Sequence, residues 1–288
     1  MKTSQRKKME KFLSKGNVIE SPDRERDWGI FSAVKEDDEA EVPKSFSLYG
    51  RQGFNHWWAR EVENQRQTGA CVGFAGAAML REQLVGAKKA TRSSRDSQHP
   101  SEQDFWMSSK EMDPHEENPT TGIQFAGTYI KSISDVARKF GCLSRAAMPF
   151  GRLTKLPEAK VIDLRSRWKI KSYHAVSMWV EGKNQFNEFG LKWWLVNHGP
   201  VITRLNVNVP FFEGKPKGGI LDDVSKKTPY GHAILIVAYN EFGVLIRNSW
   251  GKRWGECGHL WVSWRYARLM FTESYGWVVE PKEGRLAA

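Results

Sequence analysis

A chain of 288 residues is long enough to bury a large core, as one two-lobed unit or two packed domains. Apolar residues at 40% and aromatic residues at 12% exclude disorder throughout, and no apolar run approaches the ~20 residues of a membrane helix. The net charge of +11 is compatible with an acidic substrate, an acidic partner or nucleic acid. There is no interleaving of aromatic and basic residues of the kind a strand-binding surface needs, so nucleic acid is not an expected partner and the charge reads as a solvated surface.

In chain order, residues 1 to 41 read as a tail, with a short helix over Lys7 to Leu13. Residues 2 to 15 are basic and have no apolar stretch of the kind a secretory signal carries. An acidic block, Glu36-Asp37-Asp38-Glu39-Ala40-Glu41, precedes Val42-Pro43, and such blocks are usually solvated linkers or interaction tails. The expectation is a tail separable from a domain over 42–288. Within that domain a helical lobe is expected over about 60–165 and a strand-rich lobe over about 166–280. Cys71 to Gln83 predicts a helix, because Phe74, Ala77, Ala78, Leu80 and Leu84 recur at three- and four-residue intervals. Gly86 to Pro100 reads as a loop, Gln103 to Lys110 as a helix, and Asp113 to Pro119 as a proline-bounded loop. Ile130 to Phe140 reads as an amphipathic helix ended by Gly141. Strand character follows at Lys169 to Val176, Val201 to Val207, Ala233 to Tyr239, Val244 to Asn248 and Leu260 to Ser263, with a helix at Leu191 to Asn197. Asn240-Glu241-Phe242-Gly243 fits a hairpin turn. On this reading His232 begins one strand and Asn248 ends its partner, so both return to one edge.

The chemistry concentrates at Cys71. A thiol, an imidazole, an amide to orient the ring and a second amide ahead of the thiol form a set for acyl transfer. Cys71, His232, Asn248 and Gln65 supply them. The helix expected to start at Cys71 would lower its thiol pKa through the macrodipole. The other histidines have plainer readings. His174 reads as a surface strand residue, His198 as a turn residue and His259 as structural, while His56, His99 and His115 lie in loops. No histidine and cysteine cluster has zinc-ligand spacing, and neither a metal nor another cofactor is expected. Most of the thirteen Trp read as packing residues.

Five motifs in order carry a resemblance. They are Gln65 to Cys71, Ser101-Glu102-Gln103-Asp104, Gly199-Pro200-Val201, Gly218-Gly219-Ile220, and Asn248-Ser249-Trp250-Gly251 followed by Trp254-Gly255-Glu256. From about Pro43 to Val279 the chain resembles papain-type cysteine peptidases. The resemblance implies an α+β, two-lobed papain-like fold with the active site in the cleft between lobes. It implies Cys71 as nucleophile paired with His232 as imidazolium, Asn248 as ring orienter and Gln65 as oxyanion donor. Trp250 would shield the Asn248–His232 bond, and Gly127, Thr128, Ala233, Trp250 and Arg204 would line the substrate site. Counted from Gly199-Pro200-Val201, Arg204 falls where relatives place a small or apolar pocket wall. The alternative there is a guanidinium facing solvent from a strand edge. Thr68 stands where relatives from oxidising compartments carry a disulfide cysteine, so Cys142 and Cys257 are expected as free, buried thiols. Val72 replaces a frequent aromatic, and Gly231 replaces the acid that precedes the histidine in papain itself. The expected activity is endopeptidase on a peptide or protein substrate, by a cytoplasmic monomer. Exopeptidase, amidase or transpeptidase work, and a non-catalytic peptide-binding module, stay open; the 110–126 insertion is a candidate for blocking one end of the cleft.

Overall fold

The protein is described from a computed structural model over residues 18–21, 24, 27, 29, 42–50, 61–86, 98–112, 127–180 and 183–279. The predicted helix Lys7 to Leu13, the acidic block at 36–41, His56, His115 and the 113–126 stretch lie outside these residues.

Among the described residues the first lobe carries the helices α1 (Cys71–Gly86), α2 (Glu102–Glu111), α3 (Ile130–Lys139) and α4 (Glu158–Ser166). Ser101 caps α2 by accepting from the Asp104 N–H at 3.0 Å, as its place before Glu102 suggests. Gly141 ends α3 in the left-handed region, at φ 85°. A side chain there would collide with the Arg165 carbonyl, so glycine answers both demands. No periodicity announced α4, which buries none of its residues.

The strands are β1 (Phe46–Ser47), β2 (Ser172–Ala175), β3 (Met178–Val180), β4 (Lys183–Gln185), β5 (Val201–Asn208), β6 (Ile220–Leu221), β7 (Lys227–Tyr239), β8 (Gly243–Arg247), β9 (His259–Ser263) and β10 (Phe271–Val278). The main sheet runs β2-β10-β5-β7-β8-β9-β6, with β1 also paired to β7. Among the described strands of this sheet the β6–β9 pair is parallel and the other pairs are antiparallel. Helices α5 (Glu188–Asn197), α6 (Val209–Glu213) and α7 (Trp264–Met270) pack on the strands.

Strand β7 divides two cores. Ala233, Leu235 and Val237 join Cys71, Leu80 and Ile133 under the helices, whereas Ile234 and Ile236 join Trp194, Phe211 and Tyr266 on the other face. A strand buried on both faces reads as one apolar run, because the two-residue alternation no longer separates apolar from polar. It also begins earlier than the apolar run does: His232 lies inside β7, not at its start, and Asn248 falls just past the end of β8. Strand β10 was not anticipated, although Phe271, Tyr275 and Trp277 alternate along it and are buried.

The expected tail is not loose where it is described. Val18 is 1% exposed and its N–H donates to the Gly231 carbonyl at 3.2 Å. The Ser21 N–H donates to Glu273, and the Ser21 hydroxyl accepts from the Lys131 N–H at the start of α3. Asp27 pairs with Lys131 at 2.5 Å and accepts from the Tyr275 hydroxyl. This strap ties the sheet to α3, which has no side-chain cap of its own at Tyr129.

Candidate active site

Three residues ahead of α1 are stitched to three residues after β8. Asn64 bridges Trp250, the Gln65 N–H donates to the Ser249 carbonyl at 2.9 Å, and the Gly251 N–H donates to the Glu63 carbonyl at 2.9 Å. This short ladder fixes Gln65 beside the Asn-Ser-Trp segment, although the two are far apart in sequence. The Gln65 side chain is 1% exposed. Its amide N–H donates to the Thr68 carbonyl at 2.8 Å, and its oxygen accepts from the Ser249 hydroxyl at 2.5 Å. The Thr68 hydroxyl donates back to the Gln65 carbonyl at 2.6 Å. An amide nitrogen carries two hydrogens, so Gln65 retains one for a ligand.

Cys71 opens α1 and is fully buried. Its sulfur lies in hydrogen-bonding reach of the Ala233 backbone, one residue beyond His232, so the strand that carries the imidazole passes the start of α1. His232 Nε2 is 2.7 Å from Asn248 Oδ1, which also accepts from the Ser249 N–H at 2.7 Å. The second ring nitrogen, Nδ1, is thereby the one left for proton traffic. Trp250 lies over this pair, with ring centroids of Trp250 and His232 at 4.6 Å. Phe211 and Trp254 close the cluster, at 5.6 and 5.5 Å from Trp250. Phe211 and Ser249 are site residues that sequence reading missed. Ser249 stood inside a quoted motif, whereas Phe211 comes from the five-residue α6, too short to give a period.

Burial sets the electrostatics. It pushes the Cys71 thiol up to about 11, against backbone N–H groups and the Arg204 charge, which pull down. It pushes the His232 imidazole down to about 4, against the Asn248 hydrogen bond. Burial thus favours the neutral form of each group, against the thiolate–imidazolium pair that the resemblance implies, because it strips the charged forms of their hydration.

The remaining expected residues divide. Trp250 is where the resemblance put it, half-buried over the ring. Ala233 is 1% exposed and meets the sulfur through its backbone. Gly127 and Thr128 are buried, and the Thr128 hydroxyl is engaged by Ser109 at 3.2 Å, so that side chain is not offered to a substrate. Arg204 does not face solvent, being 7% exposed and held by Val18, Glu20, Asn206 and Thr272. His174 is buried against Trp194 instead of lying on a surface strand. His198 caps α5, and His259 is fully buried and bonded to Tyr49. Cys142 is a buried free thiol; Cys257 is free but exposed, in a turn with φ 50°. Among the described residues no group of three or more metal-ligating side chains comes together.

A nucleophilic thiol at a helix start, an imidazole oriented by an amide and a buried glutamine beside them define a cysteine peptidase of the two-lobed α+β type. The family model for papain family cysteine protease matches residues 48–269, and the chain belongs to that family. It is similar to cysteine proteinase 3 of Entamoeba histolytica, 33% identical over 78 residues. That match spans 25% of this chain and 25% of the relative. Among solved structures it resembles xylellain, a cysteine protease from Xylella fastidiosa, at 19% identity and TM-score 0.69, covering 93% of this chain and 97% of that one. It also resembles procathepsin B S9 from Trypanosoma congolense, at 13% identity and TM-score 0.67, covering 94% and 88%. At such identities the structural likeness establishes the papain-like α+β fold.

Proposed function

We propose that the chain is an endopeptidase that hydrolyses peptide bonds through a thioester on Cys71. The observation that carries the reading is the His232–Asn248 bond at 2.7 Å, beside a thiol at the N-terminus of α1. The Cys71 sulfur attacks the scissile carbonyl as His232 takes the thiol proton. The oxyanion is met by the Cys71 backbone N–H and the free hydrogen of the Gln65 amide, each donor worth about 2.7–4 kcal/mol in such sites. His232 then protonates the leaving amine, and the carbon–nitrogen bond breaks to leave the acyl thioester. Water, deprotonated by His232, cleaves the thioester and restores the thiol. Kinetics on a generic fluorogenic peptide test the reading, with internal cleavage of a doubly blocked peptide separating endopeptidase from exopeptidase work. Failure of the wild-type chain to cleave any blocked peptide would reject it.

A further inference from the structure

The strap shows what chemistry the cleft accepts beside the catalytic pair. Arg204 stands opposite Ala233 in the β5–β7 register, one residue from His232, and its charge acts on the Cys71 sulfur. Its guanidinium has four acceptors. Two belong to the sheet: Asn206 at 3.0 Å and the Thr272 hydroxyl at 2.6 Å. Two belong to the strap: the Val18 carbonyl, which takes Nε at 2.8 Å, and the Glu20 carboxylate, which takes Nη1 at 3.3 Å. Both sheet acceptors bind Nη1, as Glu20 does, whereas Val18 alone takes Nε. Gly231 makes the room. A Cβ at 231 would collide with the Val18 carbonyl and stand 2.6 and 2.7 Å from Arg204 Nη2 and Nε. Any side chain at 231 would meet the Val18 carbonyl first, so glycine lets Val18 approach the strand. Glu273, opposite Arg204 on β10, accepts from the Ser21 N–H. Burial raises its carboxyl, against the Ser21 hydrogen bond and the charges of Arg24 and Arg204, which pull it down.

A buried guanidinium stripped of its counter-charge is costly, and a planar fork discriminates a carboxylate from its amide. We propose that Arg204 is a specificity-determining residue that selects peptides with a carboxylate side chain, and that Val18 to Glu20 is the chain's own copy of that ligand. This inference rests on the peptidase reading, because it names the substrate class of the same cleft.

The test uses the full chain and blocked peptides that differ only in Glu, Gln or Leu, scanned through positions on both sides of the cleaved bond. At one position Glu exceeds Gln by about 10- to 10²-fold in kcat/KM, mainly through KM, and Arg204→Gln brings that ratio close to unity. A second arm needs no turnover and leaves Arg204 in place. Glu20→Lys sets like charges together, so the strap loosens and iodoacetamide alkylates Cys71 about 10-fold faster or more. In that variant a Glu peptide protects Cys71 at about 10-fold lower concentration than its Gln twin. Equal protection by the two, a Leu preference at every position, or a Glu preference that survives Arg204→Gln overturns the proposal. Failure of the peptidase reading looks different: selective protection of Cys71 without hydrolysis of any peptide.

Discussion

Cys71 and His232 belong to one candidate site but are held in it by different forces. On the helix side, α1 is set among α2, α3 and the sheet by apolar packing, and the surrounding segments are fixed by charge. Arg145 bonds Glu102 and Glu63; Arg247 reaches the same Glu63 at 3.1 Å; Arg165 pairs with the fully buried Asp104. On the sheet side, the ring of His232 is set by one hydrogen bond and an aromatic cover. The comparison teaches that the nucleophile depends on the whole helical packing, whereas the base depends on a few atoms. Damage to the first should appear as lost stability, and damage to the second as lost rate.

The largest expected effect separates chemistry from scaffold. Cys71→Ala and His232→Ala should each lower kcat/KM by about 10⁴-fold or more while the chain stays folded. Wild-type-like hydrolysis in either variant would break the assignment. On the helix side, Arg145→Ala leaves Glu102, 3% exposed, without its partner. It should cost about 3–5 kcal/mol in denaturant unfolding, with kcat per folded molecule nearly unchanged. A loss of kcat at constant stability would reverse the comparison.

Acid should strike the sheet side next. His232 and His259 have folded values near 4 and near 3, both below the ordinary 6.5. Burial is the first cause of each, joined at His259 by the Arg247 charge. The unfolded chain binds these protons first as pH falls, so their contribution is whole above about 6.5 and is lost down to about 4 and 3. By this linkage His232 accounts for about 3 kcal/mol and His259 for about 5 kcal/mol, while the raised carboxyls of Glu102 and Glu273 act in the opposite sense. Thermal melts from pH 7.5 to 4 check it: the slope should be shallower in His232→Gln, and an identical slope would contradict the neutral, buried ring. The smallest effect belongs to the strap. Ser21→Ala removes the acceptor for the Lys131 N–H and should cost about 1 kcal/mol. Deleting 1–29 should cost more, because Lys131 and Glu273 lose strap partners as well.

Much of the site was legible because its residues sit in short motifs whose chemistry demands specific side chains. Gln65, Cys71, His232 and Asn248 could each be picked out, and α1 declared itself by a 3.6-residue period. What was hidden depends on contacts between distant segments. The expected place of His232 at a strand start failed because β7 begins with polar residues, Lys227 and Thr228, that an apolar run does not include. Burial of His174 rests on Trp194, and the strap rests on Arg204 and Glu273, pairings that no local pattern encodes. Arg204 was placed by counting from Gly199-Pro200-Val201, but its acceptors could not be read from β5 alone.

The central claim is that Cys71 is acylated by substrate with His232, oriented by Asn248, as base. The chain is mixed with a chromogenic peptide ester, quenched in acid within the first turnover, and digested for mass spectrometry. The acyl group is predicted on the peptide that carries Cys71, absent from Cys71→Ala, and formed about 10²-fold more slowly in Asn248→Ala. Turnover with no adduct on Cys71, or an undiminished acylation rate in Asn248→Ala, would contradict it.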